Sequence, residues 1–203
     1  MKKFYERFWS RTPAQLGDFK YKWPILSSFI PTKQCRILDY GCGKGKILSE
    51  IRKINPQAIL YGADISDIAR KAAKKFVPSA TIVSIDENQS TRLLSHSFDF
   101  VLSLDVIEHI YDTEKVFREF NRLIKPGGSL LLSTPYHGVI KNIIIALIGF
   151  DIVFDPKSPH IRFYTKKSLV NLLVEHGFII EKFGYFGRPP FIWKGMFSVA
   201  IKK

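Results

Sequence analysis

The stretch Ile37-Leu-Asp-Tyr-Gly-Cys-Gly-Lys-Gly45 decides the fold. An apolar run ends in three glycines, and Ile47, Leu48, Ile51 and Ile54 follow at helical spacing, so the stretch reads as a strand turning into a helix. Glycines at alternate positions let the backbone turn tightly and approach a ligand closely. The turn also carries an acid, Asp39, two residues ahead of its first glycine. A pyrophosphate seated there would be repelled by that fixed charge, whereas a ligand bearing ammonium or sulfonium groups would tolerate or use it.

Working outward, short apolar runs alternate with amphipathic ones. Strands are expected over Arg36–Tyr40, Ile59–Ala63, Thr81–Ile85, Phe98–Leu104 and Ser129–Ser133, each apolar enough to be buried on both faces. Val116, Phe117, Phe120, Leu123 and Ile124 form a second helical stripe, opened by Asp112 and ended before Pro126-Gly127. The pattern is that of repeated βα units on a parallel sheet. Beyond Ser133 the rhythm breaks. Residues 136–160 read as an insertion or lid, Thr165–Glu175 as a helix stopped by Gly177, and Phe178–Tyr185 and Phe197–Lys202 as closing strands. The expected organisation is one domain: a helical cap over 1–34, a cofactor core over 35–135, the lid, and a C-terminal helix with closing strands over 161–203.

The 203 residues are 46% hydrophobic and carry a net charge of +13. The excess is uneven: residues 1–34 hold seven Lys/Arg against two acids, 35–135 hold 14 against 12, and 136–203 hold ten against four. A nearly neutral core with basic, aromatic-rich flanks leaves two readings open, a solvated surface or a polyanionic partner. Two cysteines, Cys35 and Cys42, are too few for a disulfide framework and suit a reducing compartment. Met1–Ser10 lacks a signal-peptide apolar core, and the longest apolar run, Ile143–Phe150, falls far short of the roughly 20 residues that span a bilayer. A cytoplasmic location is expected, with peripheral contact at the inner membrane surface as one option.

The second acid follows at the right distance. Leu60-Tyr-Gly-Ala-Asp64 ends the next strand, and an acid about 20 residues past a glycine turn can accept hydrogen bonds from both ribose hydroxyls. S-adenosylmethionine, cationic and free of phosphate, suits both acids. With Ser97-Phe-Asp-Phe-Val-Leu-Ser-Leu-Asp-Val-Ile-Glu-His109 and Leu123-Ile-Lys-Pro-Gly-Gly-Ser-Leu-Leu-Leu-Ser-Thr-Pro135 added, the chain from about Arg36 to Phe186 resembles the class I S-adenosylmethionine-dependent methyltransferases, in their ubiquinone-biosynthesis-like branch. The resemblance implies an α/β, Rossmann-like, doubly wound sheet of about seven mostly parallel strands with the last antiparallel. It places Asp39, Gly41, Cys42 and Gly43 at the methionine end of the cofactor, and Asp64 with Ile65 at the ribose. Asp86 and Glu87 fall toward the adenine, although the usual Leu-Pro dipeptide is missing from Asn88–His96, and Ser103 and Leu104 beside the methyl group.

Methyl transfer mainly needs alignment and exclusion of water. The chain lacks an Asn/Asp-Pro-Pro-Tyr-like run after its fourth strand, which argues against adenine or amide nitrogen, and neither cysteine is placed to attack cytosine. A hydroxyl or carbon acid remains, and each gains from a general base. His137 and His160 bracket the insertion at the carboxyl end of the sheet and are the candidate bases; His96 and His176 are expected in solvent, and Glu108 and His109 at a helix start. No metal-ligating set is read. Val139, Ile140, Ile143, Ile144, Leu147 and Ile148 recur at helical spacing, either as a lid packed on the N-terminal aromatics or as an interfacial helix contacting an anionic membrane. The acceptor is expected to be a small-molecule or lipid-linked substrate, methylated at oxygen. RNA is the second choice, because Phe183, Tyr185, Phe186, Phe191 and Trp193 interleave with Lys182, Arg188 and Lys194, and a non-catalytic cofactor-binding module is the third.

Overall fold

The computed structural model describes residues 2–12 and 19–203. Its centre is a seven-stranded sheet in the order β3-β2-β1-β4-β5-β7-β6, formed by β1 (Arg36–Tyr40), β2 (Ile59–Asp64), β3 (Thr81–Ser84), β4 (Phe98–Leu104), β5 (Ile124–Pro135), β6 (Phe178–Phe186) and β7 (Gly195–Lys202). The first five strands pair in parallel. The last strand, β7, runs antiparallel to both β5 and β6. This is the expected Rossmann-like arrangement in a single domain.

Strand alternation sorts the core onto the two faces of the sheet. Leu38, Tyr40, Leu130 and Leu132 point to one face, where they meet Phe117 and Phe120 of α5 (Thr113–Leu123) and Leu169 and Leu173 of α8 (Lys166–Glu175). Ile37, Leu102 and Leu131 point to the other, against Leu48 and Ile51 of α3 (Lys46–Ile54) and Ala73 of α4 (Asp67–Phe76). Local signals set the helix starts: the side chains of Ser66, Asp112 and Thr165 each accept a backbone N–H from the first turn that follows.

Four details differ from the sequence reading. Helix α4 was not singled out, because its buried positions are the small Ala69 and Ala73 and make a faint stripe. Ile124 begins β5 instead of closing the preceding helix, and Pro126-Gly127-Gly128 is absorbed by a register shift where β5 pairs with β4. The insertion helix stops at Gly149, giving α6 (Val139–Ile148) and a short α7 (Phe150–Val153). His176 is not in solvent: its ring packs on Phe117, with Nδ1 2.8 Å from the Leu172 carbonyl and Nε2 3.1 Å from Glu114. Upstream, α1 (Lys2–Arg11) and α2 (Phe19–Leu26) precede the sheet. Pro13–Asp18, within the expected cap, lie outside the described residues.

Candidate active site

Strand order reverses between β1 and β4, the place where open α/β sheets form a crevice at their carboxyl ends. The glycine turn leaves β1 there. Gly41 (φ +86°), Gly43 (φ +50°) and Gly45 (φ +87°) occupy conformations that disfavour side chains. Space forbids side chains too, since a Cβ on Gly41 would fall 2.3 Å from Val106 and one on Gly43 2.6 Å from Trp9. The turn is tied to β2: Gly41 and Cys42 N–H donate to the Ala63 carbonyl at 2.8 and 2.9 Å, and Gly43 N–H donates to Asp64 Oδ2 at 2.9 Å. Asp64 Oδ1 accepts Ser66 N–H at 2.8 Å.

A cleft runs over this turn at the carboxyl ends of the strands. Tyr5, Trp9, Gly41, Asp64, Ile65 and Gln89 line it. A second lobe continues along Cys42, Gly43, Lys44 and Leu104. Helix α1 roofs both lobes, and Glu6 fastens it: the carboxylate accepts N–H from Asp67 and Ile68 and the Ser66 hydroxyl, all at the start of α4.

Burial sets the electrostatics. Asp39, 2% exposed, has Oδ2 without a partner, and burial foremost, then the charge of Asp64, raises its pKa to about 8 against the opposing pull of Lys22. Burial also raises Asp64, offset by the N–H groups it accepts, and holds the Cys42 thiol protonated. Asp105, at φ +54°, accepts the Ser133 hydroxyl at 2.7 Å and pairs with the buried Lys22 ammonium. Glu108 is buried beside it, with a pKa raised by burial and then by Asp105. Burial lowers His109 to about 4 and also lowers His160.

The fold brings together Gly41, Cys42, Gly43, Asp64, Ile65 and Leu104 along one cleft. Asp39 and Ser103 are buried at the ends of β1 and β4, each with an unpartnered oxygen. Asp86 and Glu87 are exposed, and Asp86 accepts N–H from Asn88 and Ser90 within its own turn, while Gln89 lines the cleft. His160 packs beside His109, which lines the cleft, with ring centroids 4.9 Å apart. His137 is buried outside the cleft lining but near enough to His160 to feel its charge: its Nδ1 lies 3.2 Å from the Asn142 side-chain carbonyl and its ring meets Phe163 edge-on. Sequence reasoning gave Tyr5 and Trp9 only a packing role beneath the insertion and assigned none to Lys22, Gln89 or Asp105; these side chains converge only when the chain is folded.

Two carboxylates, a glycine cradle and an unpartnered buried oxygen fit a ligand with a cationic amino-acid end and ribose hydroxyls. Sheet, turn and acids together define the class, an S-adenosylmethionine-dependent methyltransferase domain. A methyltransferase-domain family model matches residues 1–182, and the chain belongs to that family. The ubiquinone biosynthesis O-methyltransferase of Dinoroseobacter shibae is 32% identical over 164 residues, and that of Roseobacter denitrificans 33% over 166. Each match takes in 75% of this chain and 63% of the relative, so the chain spans less than two thirds of these relatives' length. An S-adenosylmethionine-dependent methyltransferase structure from Mesorhizobium loti shares the fold, with a TM-score of 0.71 and 20% identity over 89% of this chain and 97% of that one.

Proposed function

We propose that this chain transfers a methyl group from S-adenosylmethionine to an oxygen atom of a small or lipid-linked acceptor. The observation that carries this reading is the bond from Gly43 N–H to Asp64, which sets a glycine cradle against an acid at the base of the roofed cleft. The cofactor, when bound, supplies a methyl group on a positively charged sulfur that is open to in-line displacement.

The chain's own residues do the rest. Asp39, Gly41, Cys42 and Gly43 receive the methionine end, Asp64 accepts the ribose hydroxyls beside Ile65, and Ser103 and Leu104 border the methyl group. Ile65, Ile85 and Gln89 would face the adenine, with Asp86 and Glu87 at the outer rim. Tyr5 and Trp9 exclude water from above. His160, next to the cleft, assists loss of the acceptor proton; His137, held by Asn142 and Phe163, braces the start of α6. Residues 1–34 thus act as cap, 35–135 as cofactor core and 136–160 as lid.

Oxygen is favoured by the relatives' names and by the missing amide-methylation run. A lipid-linked acceptor is favoured by α6 and α7, which expose Val139, Leu147, Ile148 and Ile152 at 77%, 77%, 81% and 83%. Among the described residues no helix is long and apolar enough to cross a membrane, and the exposed apolar surface of α6 and α7 suits a peripheral contact. The RNA reading is weaker because Tyr185 and Trp193 stack on each other at 4.0 Å instead of offering free faces. Incubation of the purified chain with methyl-labelled S-adenosylmethionine and fractionated cell extract tests the reading. Label is expected in the lipid or small-molecule fraction; label in RNA or protein, or no cofactor binding by calorimetry, would overturn it.

A further inference from the structure

Three cations gather where β5 and β6 end and β7 begins. The strand register sets Pro135 of β5 and Phe186 of β6 on either side of Gly195, so the residues just beyond these ends meet at one corner. Lys194 N–H donates to the Phe186 carbonyl at 3.0 Å, and Tyr136 N–H donates to the Lys194 carbonyl at 3.2 Å. Gly187, at φ +88°, turns the chain out of β6 beside Lys194, where a Cβ would fall 2.9 Å from that side chain. Lys141, in the first turn of α6, reaches back to the same corner: its ammonium donates to the Tyr136 carbonyl at 2.6 Å and to the Lys194 carbonyl at 3.4 Å. Arg188 follows the turn at Gly187 and is exposed.

These cations are held in place but not neutralised. Lys194 Nζ lies 4.8 Å from the centre of the Tyr21 ring, an aromatic face that leaves its charge intact. Two of the three Lys141 ammonium hydrogens meet carbonyls, and the third remains for a ligand. Among the described residues no carboxylate pairs with Lys141, Arg188 or Lys194. Burial foremost, then the charges of Arg188 and Lys194, lower Lys141 to about 8. Like charges held together cost stability, and an anion between them reverses the sign of the interaction.

A cavity joins this corner to the cofactor cleft. Asp105, Pro135, Phe186, Lys194 and Gly195 line it, and Asp105 is shared with both lobes of the cleft. Asp105 directly follows Leu104, which borders the methyl group in the proposed reading. A molecule with its nucleophile at that methyl group can therefore extend past Asp105 toward Lys194. The Asp105 carboxylate is engaged by the Lys22 ammonium and the Ser133 hydroxyl, which offsets its repulsion of an anion. Trp193 stacks on Tyr185 at 4.0 Å and meets Tyr136 edge-on at 5.4 Å, packing that stiffens the corner before a ligand arrives.

We infer that Lys141, Arg188 and Lys194 form an acceptor subsite for a phosphate group, so that the acceptor is a hydroxyl compound that also carries a phosphate. The inference rests on the proposed methyl transfer to oxygen and narrows its acceptor class. Three uncompensated charges suit a phosphate dianion better than the single charge of a carboxylate, and a guanidinium can give one phosphate two parallel N–H bonds. Soluble phosphate esters and lipid phosphates share this chemistry.

The test titrates the full chain with inorganic phosphate by calorimetry at pH 7 and constant ionic strength, with S-adenosylmethionine binding measured on the same preparation. One equivalent of phosphate is expected to bind, and to bind at least tenfold more weakly in Lys194→Gln and in Arg188→Gln. S-adenosylmethionine affinity should stay within about twofold in both, with circular dichroism confirming that they fold. Phosphate affinity unchanged in both variants, or no saturable binding by a wild-type chain that takes up S-adenosylmethionine, would overturn the phosphate subsite alone. The methyl-labelled product formed in cell extract gives a second readout, since mass spectrometry is expected to find phosphorus in it. Partition into organic solvent then identifies a lipid phosphate and retention in water a soluble ester, whereas a product without phosphorus, or labelled RNA, would overturn the inference. A wild-type chain that binds phosphate but not S-adenosylmethionine would overturn the methyltransferase reading and with it the role of the corner as an acceptor subsite.

Discussion

The amide of Gly43 donates to Asp64 Oδ2 at 2.9 Å, joining the glycine turn after β1 to the end of β2. The other oxygen of Asp64 holds Ser66 N–H, so one carboxylate fixes both turns that bound the cleft. Asp64→Ala leaves two buried donors unpaired, each costing about 1–3 kcal/mol. Its melting temperature is expected to fall by about 4 °C or more, and its affinity for S-adenosylmethionine by at least 100-fold. Asp64→Asn keeps one acceptor and should lie between. Calorimetric binding and thermal melts check this, and wild-type affinity in Asp64→Ala would sink the ribose assignment.

Helix α1 reaches the cleft through Trp9 and is held by Glu6. Glu6 accepts two backbone N–H groups and a hydroxyl at the start of α4, an arrangement equivalent to a helix N-cap, typically worth about 1 kcal/mol. Glu6→Ala should raise amide exchange across residues 2–11 and weaken cofactor binding about fivefold while the melting temperature changes little. Protection of α1 that matches the wild type would show that Glu6 is not its fastening.

How much of this was legible in the sequence follows from where the information resides. The parallel strands were legible because burial on both faces leaves continuous apolar runs such as Val101 and Leu102, and the cofactor turn because Asp39 to Gly45 are contiguous. Helix α4 was missed because its core contact is made by Ala69 and Ala73, and alanine periodicity is weak. The start of β5 was misplaced because Pro126-Gly127-Gly128 looks like a loop until the register shift accommodates it. The Lys141, Arg188 and Lys194 cluster depends on backbone bonds that tie Lys194 to Phe186 and Tyr136, which no local spacing encodes.

The state of Asp39 makes cofactor binding dependent on pH. Its pKa of about 8 in the fold, against an ordinary value of 3.8, means that the folded chain keeps a proton the unfolded chain releases. Stability without ligand should therefore fall as pH rises from about 4 to 8. A cationic ligand placed near Asp39 favours the carboxylate, so binding below pH 8 should release a proton and tighten as pH rises toward 8. Calorimetry at pH 7 in buffers of different ionisation enthalpy reads that proton. Asp39→Asn should abolish this contribution, and equal proton release in the variant would place the titration elsewhere.

The last prediction concerns the outer face of α6. Leu147 and Ile148 are 77% and 81% exposed, next to Phe150 and Ile152, and Gly149 breaks the helix so that all four crowd one end. Apolar side chains so exposed contribute little to the folded core, yet each would gain roughly 1.5–3 kcal/mol if buried in another apolar phase. Residues 136–203 carry ten Lys/Arg against four acids, which would add attraction to anionic headgroups. The full chain is therefore expected to sediment with vesicles containing phosphatidylserine, less so at high salt. Leu147→Asp with Ile148→Asp should reduce that partition at least tenfold while leaving the melting temperature within about 2 °C, because neither side chain is packed. If the double variant instead loses cofactor affinity or stability and vesicle binding is unchanged, α6 is a lid packed on the site, and the acceptor need not come from a membrane.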